Sequence, residues 1–100
     1  MKIYISGPMT GLSEYNKPAF MNAERRIRKA GHEPVNPAAL PHDHGHTWEE
    51  YMREDIKALM YCDAILLLDG WEKSKGAVIE FTLAAHVGIK EITWASITSK

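Results

Sequence analysis

Ala64 to Leu68 is an unbroken apolar run with an acid on either side, Asp63 and Asp69, and it is too short for a helix. A run of this kind reads as a strand buried on both faces. Asp69-Gly70 then turns the chain, and Gly76 to Val87 reads as a helix. The link holds Ser74 and Gly76, and Glu80 follows about one turn into the helix. Strand, small-residue loop and helix N-terminus make an anion-binding corner, with a carboxylate at its rim.

The rest of the chain alternates in the same way. Lys2 to Ser6 is rich in β-formers and predicts a first strand, broken by Gly7-Pro8-Met9-Thr10-Gly11. That loop is either a plain turn or a backbone that approaches a ligand closely. Asn16 is placed to cap a helix with Pro18 in its first turn. Phe20, Ala23, Ile27 and Ala30 form its apolar stripe, and Gly31 ends it. Arg25, Arg26, Arg28 and Lys29 look outward, a solvated face near the helix C-terminus. Glu33 to Asn36 is the second expected strand, closed by Pro37.

Pro37 to His46 follows as a loop containing His42, Asp43, His44 and His46. Imidazole and carboxylate suit transition metals, but no second ligand cluster accompanies them, so a polar surface loop is expected and no metal site. Thr47-Trp48-Glu49-Glu50 is a capping box opening a helix to about Tyr61. Trp48, Tyr51, Met52, Ile56 and Leu59 lie on one stripe of that helix, with Asp55 in the middle. An acid on an apolar face is costly unless it has partners or faces a cleft, so Asp55 is either functional or the cap of a neighbouring loop. Glu91 to Trp94 predicts a last strand, and Ala95 to Lys100 reads as a polar tail without a role.

Strand–helix alternation gives a parallel sheet covered on both faces by right-handed crossovers. The expected fold class is therefore α/β, a flavodoxin-like doubly wound sheet ordered 2-1-3-4 with three main helices. Ligands in such sheets bind at the carboxyl ends of the strands where the order reverses, between strands one and three. Those ends are Ser6, Gly7, Pro8, Met9 and Thr10, and Asp69, Gly70 and Trp71. Topology and loop chemistry point to one place.

One hundred residues make one domain, spanning 1–100. A net charge of −1 with mixed signs argues against nucleic-acid or membrane-surface binding. No apolar run approaches the length of a membrane span or of a signal peptide's core. Cys62 is the sole cysteine, which fits a reducing, cytoplasmic setting. A four-stranded sheet has edges to protect, and homodimerisation would protect them.

Ile3-Tyr4-Ile5-Ser6-Gly7-Pro8, Asp55 with Asp63, and Ser74-x-Gly76-x3-Glu80 resemble motifs of the nucleoside 2-deoxyribosyltransferases. In one respect the chain is closer to their relatives, the 2'-deoxynucleoside 5'-monophosphate N-glycosidases. Over nearly its whole length it also resembles a small, often phage-encoded group of uncharacterised domains placed beside these enzymes. The resemblance implies that Glu80 is the nucleophile at the sugar's anomeric carbon and that Asp55 sits beside it. It implies that Ser74 touches a 5'-phosphate and that Gly7 with the following loop wraps sugar and phosphate; Gly76, in the Ser74-x-Gly76-x3-Glu80 motif, is a further substrate-binding candidate. It further implies a homodimer with sites near the subunit interface, a nucleoside or nucleotide as small-molecule partner, and no cofactor.

Two departures accompany the likeness. The glycosidases carry a basic residue in the first loop, where this chain has Thr10 and, further on, Lys17; and Val78 replaces a second glycine before the glutamate. Cleaving an N-glycosidic bond passes through oxocarbenium character, which a carboxylate near C1' can trap or stabilise. A second acid kept protonated can hydrogen-bond the departing base. Against this stands a plain structural role for Glu80, an early helix glutamate favoured by the dipole. The expected function is N-glycosidic cleavage or deoxyribosyl transfer on a nucleoside or nucleoside 5'-monophosphate. The alternative is a non-catalytic nucleotide-binding or regulatory module on the same fold. Tyr4, Met9, Trp48 and Trp71 are each either base-stacking or core residues.

Overall fold

The computed structural model describes residues 1–39 and 47–98. Four strands form one wholly parallel sheet in the order β2-β1-β3-β4: β1 Lys2–Ser6, β2 Glu33–Val35, β3 Ala64–Leu67 and β4 Lys90–Ile92. Helix α1 spans Lys17–Lys29, α2 Trp48–Leu59 and α3 Lys75–His86. The short α4, Trp94–Thr98, closes the described chain. The doubly wound α/β architecture and its strand order match the expectation from sequence.

Each central strand feeds two cores, because its side chains alternate between faces. Ile3, Ile5, Ala64, Leu66 and Ile92 pack with Phe20, Ala23 and Ile27 of α1 on one side. Tyr4 and Ile65 pack with Leu59 at the end of α2 and Ala84 of α3 on the other. Helices α1 and α3 thus leave β1 and β3 towards opposite faces. That divergence creates the crevice at the carboxyl ends of the two strands.

Local signals hold where they are strongest. The Thr47 hydroxyl accepts from the Glu50 N–H while the Glu50 carboxylate accepts from the Thr47 N–H, at 3.2 and 3.0 Å. Gly31 adopts φ +90° and ends α1 in a Schellman turn, with the Gly31 N–H on the Arg28 carbonyl and the His32 N–H on that of Ile27. Arg25, Arg26, Arg28 and Lys29 are all exposed.

Three expectations are corrected. Asn16 does not cap α1 through its side chain: it is left-handed at φ 63°, and its amide donates to the Pro8 carbonyl at 3.0 Å. The last strand ends at Ile92, and Trp94 begins α4. The tail after it has a role, since Ile97 is buried in the α1-side core and the Arg26 guanidinium stacks 3.8 Å from the Trp94 ring centroid. Thr93 enables that helix by accepting from the Ser96 N–H at 3.3 Å.

Candidate active site

Helix α3 buries Ala77, Glu80 and Ala84, a 3–4 spacing that turns Glu80 onto β1. Tyr4 and Ser6, two apart on that strand, face it together. The Tyr4 hydroxyl donates to Glu80 Oε2 at 2.6 Å and the Ser6 hydroxyl to Oε1 at 2.7 Å. Both donors are fully buried and Glu80 is 5% exposed. Burial pushes the Glu80 carboxyl up from 4.5 to about 7, against the two hydroxyl bonds, which favour its charged form, and with Asp55 adding to the rise. The Tyr4 phenol is pushed well above its usual value, chiefly by burial and then by the neighbouring Glu80 charge.

Asp55 lies on the buried stripe of α2 between Met52 and Leu59. Burial raises its carboxyl from 3.8 to about 7, with Glu54 adding to the effect. Its charge is felt by both Glu80 and Tyr4. Burial holds both carboxyls towards their protonated forms, and the Asp55 charge makes ionisation of Glu80 harder still. Close contact of α2 with α3 brings the acids near one another. A Cβ on Gly76 would lie 3.1 Å from Met52 Sδ and 3.9 Å from Trp48 Cζ2, so even alanine there would require the Met52 side chain to shift by a few tenths of an ångström. At the same contact the Lys75 ammonium stands 4.5 Å over the Trp48 ring.

The two loops meet at the crevice mouth. A Cβ on Gly7 would stand 2.8 Å from Leu68 Cβ, which leaves no room for a side chain. Gly70, at φ +85°, lies against the Pro8 ring. Gly7→Ala is expected to destabilise the protein by about 1–3 kcal/mol through overpacking, seen as a lower melting temperature. Ser74 caps α3, its hydroxyl oxygen accepting from the Ala77 N–H at 3.2 Å, and the helix begins at Lys75, one residue before the expected start. The cap leaves the Ser74 hydroxyl proton available to a ligand.

Other candidates turn elsewhere. Met9 packs on the α1-side core, and Thr10 and Asp69 are exposed. Trp71 is half-buried edge-on against Phe81, with ring centroids 5.0 Å apart. The Ser6 hydroxyl is committed to Glu80. Asp63 lies at the opposite ends of the strands, accepting from the Lys2 N–H at 2.8 Å. Lys17 lines an outer groove on α1 with Glu14, Met21 and Arg25. His42, Asp43, His44 and His46 lie outside the described residues; among the described residues no His/Cys/Asp/Glu group of three or more is placed to hold a metal. Of the two readings open for Tyr4, the structure gives the core one, and it adds a role that sequence reasoning missed, the hydroxyl bond to Glu80. Its signal was the spacing Tyr4-x-Ser6, which puts two hydroxyls on one strand face.

In fold, the chain is similar to a 2-deoxyribosyltransferase from Bacillus psychrosaccharolyticus, with a TM-score of 0.71 and 21% identity over 93% of this chain and 71% of that one. It is equally similar to a 2-deoxyribosyltransferase from Leishmania mexicana, with a TM-score of 0.70 and 21% identity over 92% of this chain. It spans 62% of that second protein. No curated protein matches the sequence significantly. No helix among the described residues is long and apolar enough to cross a membrane. A family model does match, over residues 1–93, and on that match the chain belongs to the family described as "Domain of unknown function (DUF4406)".

Proposed function

We propose that the chain cleaves the N-glycosidic bond of a deoxynucleoside or its 5'-monophosphate, with Glu80 as nucleophile. The observation that carries this reading is the buried Glu80 carboxylate, gripped on both oxygens by hydroxyls of one strand at the switch-point crevice. Such a grip fixes the carboxylate while leaving each oxygen a second lone pair. Glu80 attacks C1', the bond from C1' to the base nitrogen breaks, and the base leaves with that electron pair. Asp55 supplies the proton the departing base takes. The hydroxyl bonds favour charge on Glu80, whereas burial favours the protonated form of Asp55. Water, or the nitrogen of a second base, then attacks C1' and frees Glu80. Similarity in fold to 2-deoxyribosyltransferases supports the same reading.

Chromatographic detection of free base, from a panel of deoxynucleosides and their monophosphates with and without an added acceptor base, tests this and separates hydrolysis from transfer. No base released from any member would remove the catalytic reading. The non-catalytic binding module would then stand. One observation favours that second reading: residues 7–16 contain no Lys or Arg, and Lys17 sits in the outer groove.

The remaining Ser74 proton and the N–H groups opening α3 favour a phosphate at that end of the crevice. A deoxynucleoside monophosphate is therefore expected to raise the melting temperature more than its nucleoside does. A ligand at 100 times its dissociation constant adds about 2.7 kcal/mol, well within detection. An equal shift with the nucleoside would show that Ser74 reads no phosphate.

We further propose a homodimer that covers the outward side of α3, where Val78, Thr82 and Ala85 are exposed and uncharged. Light scattering at micromolar concentration should give twice the chain mass of 11.3 kDa, and a monomer mass would count against the assembly.

A further inference from the structure

The two hydroxyls on Glu80 are not equivalent. Tyr4 belongs to the core between the sheet and α3, with Leu59, Ile65 and Ala84, and its phenol holds Oε2 at 2.6 Å. Ser6 is the last residue of β1 and pairs with Leu67, the last residue of β3, so it stands where both central strands end. Its hydroxyl holds Oε1 at 2.7 Å. Two residues of strand put Ser6 roughly 7 Å nearer those ends than Tyr4. Beyond it the chain turns away through Gly7 and Pro8 at the crevice mouth. A ligand held at the carboxyl ends of the strands therefore meets Glu80 from the Ser6 side, at Oε1, while Oε2 faces the core.

The two bonds also respond differently to chemistry at Glu80. When Oε1 attacks C1', the carboxylate becomes an ester. Oε2 is then the ester's carbonyl oxygen, still a good acceptor for the Tyr4 hydroxyl. Oε1 is the bridging oxygen, uncharged and a much weaker acceptor. Hydrogen bonds to an ionised acceptor are about twice as strong as those between neutral groups. The Tyr4 bond therefore persists through the cycle, whereas the Ser6 bond weakens as the ester forms and recovers as it breaks. In that second step water attacks C1', the bond from C1' to Oε1 breaks, and its electron pair returns to Oε1. The proton of the water passes to Asp55, which gave its own to the departed base. A donor already aimed at Oε1 favours that departure. Resting on the function proposed above, we infer that Ser6 sets the lifetime of the covalent intermediate, its hydroxyl donating to the Glu80 oxygen that leaves C1'.

Ser6→Ala removes the donor, and Ser6→Cys puts a weaker one in nearly the same volume. Each variant is mixed with the four deoxynucleoside monophosphates in turn. Base release is followed from the first turnover, and the mass of the intact chain is read after a denaturing quench. Ser6→Ala is expected to release about one base per chain in a burst and then to turn over at least tenfold more slowly than wild type. Its chain mass should rise by that of the sugar phosphate, an adduct that wild type does not accumulate. Ser6→Cys should fall between the two, and Tyr4→Phe should accumulate less adduct than Ser6→Ala. Slower release by Ser6→Ala without burst or adduct would overturn the inference, as would unchanged turnover, equal accumulation in Tyr4→Phe, or failure of both Ser6 variants to fold. In each of those cases base release by wild type leaves the glycosidase reading standing. Wild-type protein that releases no base from any of the four would overturn that reading and this inference with it.

Discussion

Glu80→Gln is expected to fold normally and to release base at least a thousandfold more slowly than wild type. Glutamine has the same shape, and its Oε1 still accepts one of the two hydroxyls that hold Glu80. The other hydroxyl can rotate to accept from the new amino group, so neither Tyr4 nor Ser6 is left without a partner. What is lost is the negative charge and the lone pair that attacks C1'. Each factor of ten in rate is about 1.4 kcal/mol of barrier, so a thousandfold loss corresponds to about 4 kcal/mol of transition-state stabilisation. Nucleotide binding should weaken much less, and a phosphorylated ligand meets one repulsive charge fewer. Asp55→Asn should cost less turnover if it only orients the sugar, and more if it protonates the leaving base. Turnover and melting temperature measured together for both variants separate chemistry from folding. Base release by Glu80→Gln within a few-fold of wild type would be incompatible with the catalytic assignment.

The ligand-free protein is expected to lose stability as pH rises from about 4.5 to 7, and then to level off. Glu80 and Asp55 both have carboxyls raised to about 7, burial being the main cause in each. A carboxyl whose folded pKa lies above its unfolded value binds protons more tightly in the folded state. Between the two values the folded state carries more protons than the unfolded one, so raising the pH favours unfolding. The stabilisation is fully present below the unfolded pKa of about 4 and is lost once the folded pKa is passed. Each of the two shifts corresponds to a fall on the order of 3 kcal/mol, so the melting temperature should drop by about 10 °C or more for a chain of this length. Glu80→Gln and Asp55→Asn should each flatten the profile, and at pH 8 Glu80→Gln should be at least as stable as wild type. A wild-type melting temperature that climbed steadily from pH 5 to pH 8 would contradict the buried, raised carboxyls.

Much of the fold was legible in the chain because it rests on short-range physics. The apolar run Ala64 to Leu68 could only be an interior strand, and the Thr47–Glu50 box and Gly31 marked helix ends through bonds spanning a few residues. Strand–helix alternation with right-handed crossovers then restricted the topology to few choices, the observed 2-1-3-4 order among them. The position of Asp55 on the buried stripe of α2 follows from helical periodicity, whereas Glu80 was expected only at the rim of the corner and its burial comes from the packing of α3 on β1. The surroundings of neither acid are local. The Tyr4–Glu80 bond joins residues 76 apart, and nothing local in either segment states that a phenol will meet a carboxylate there. Asn16 was read as a cap because asparagine favours that position, yet its amide is drawn to Pro8 across the first loop. Ile97 looked like part of a polar tail until the α1-side core supplied a place to bury it. Hydrogen bonds within a turn are encoded by neighbours in sequence; the partners of buried polar groups are chosen by long-range packing, which only the assembled sheet and its helices supply.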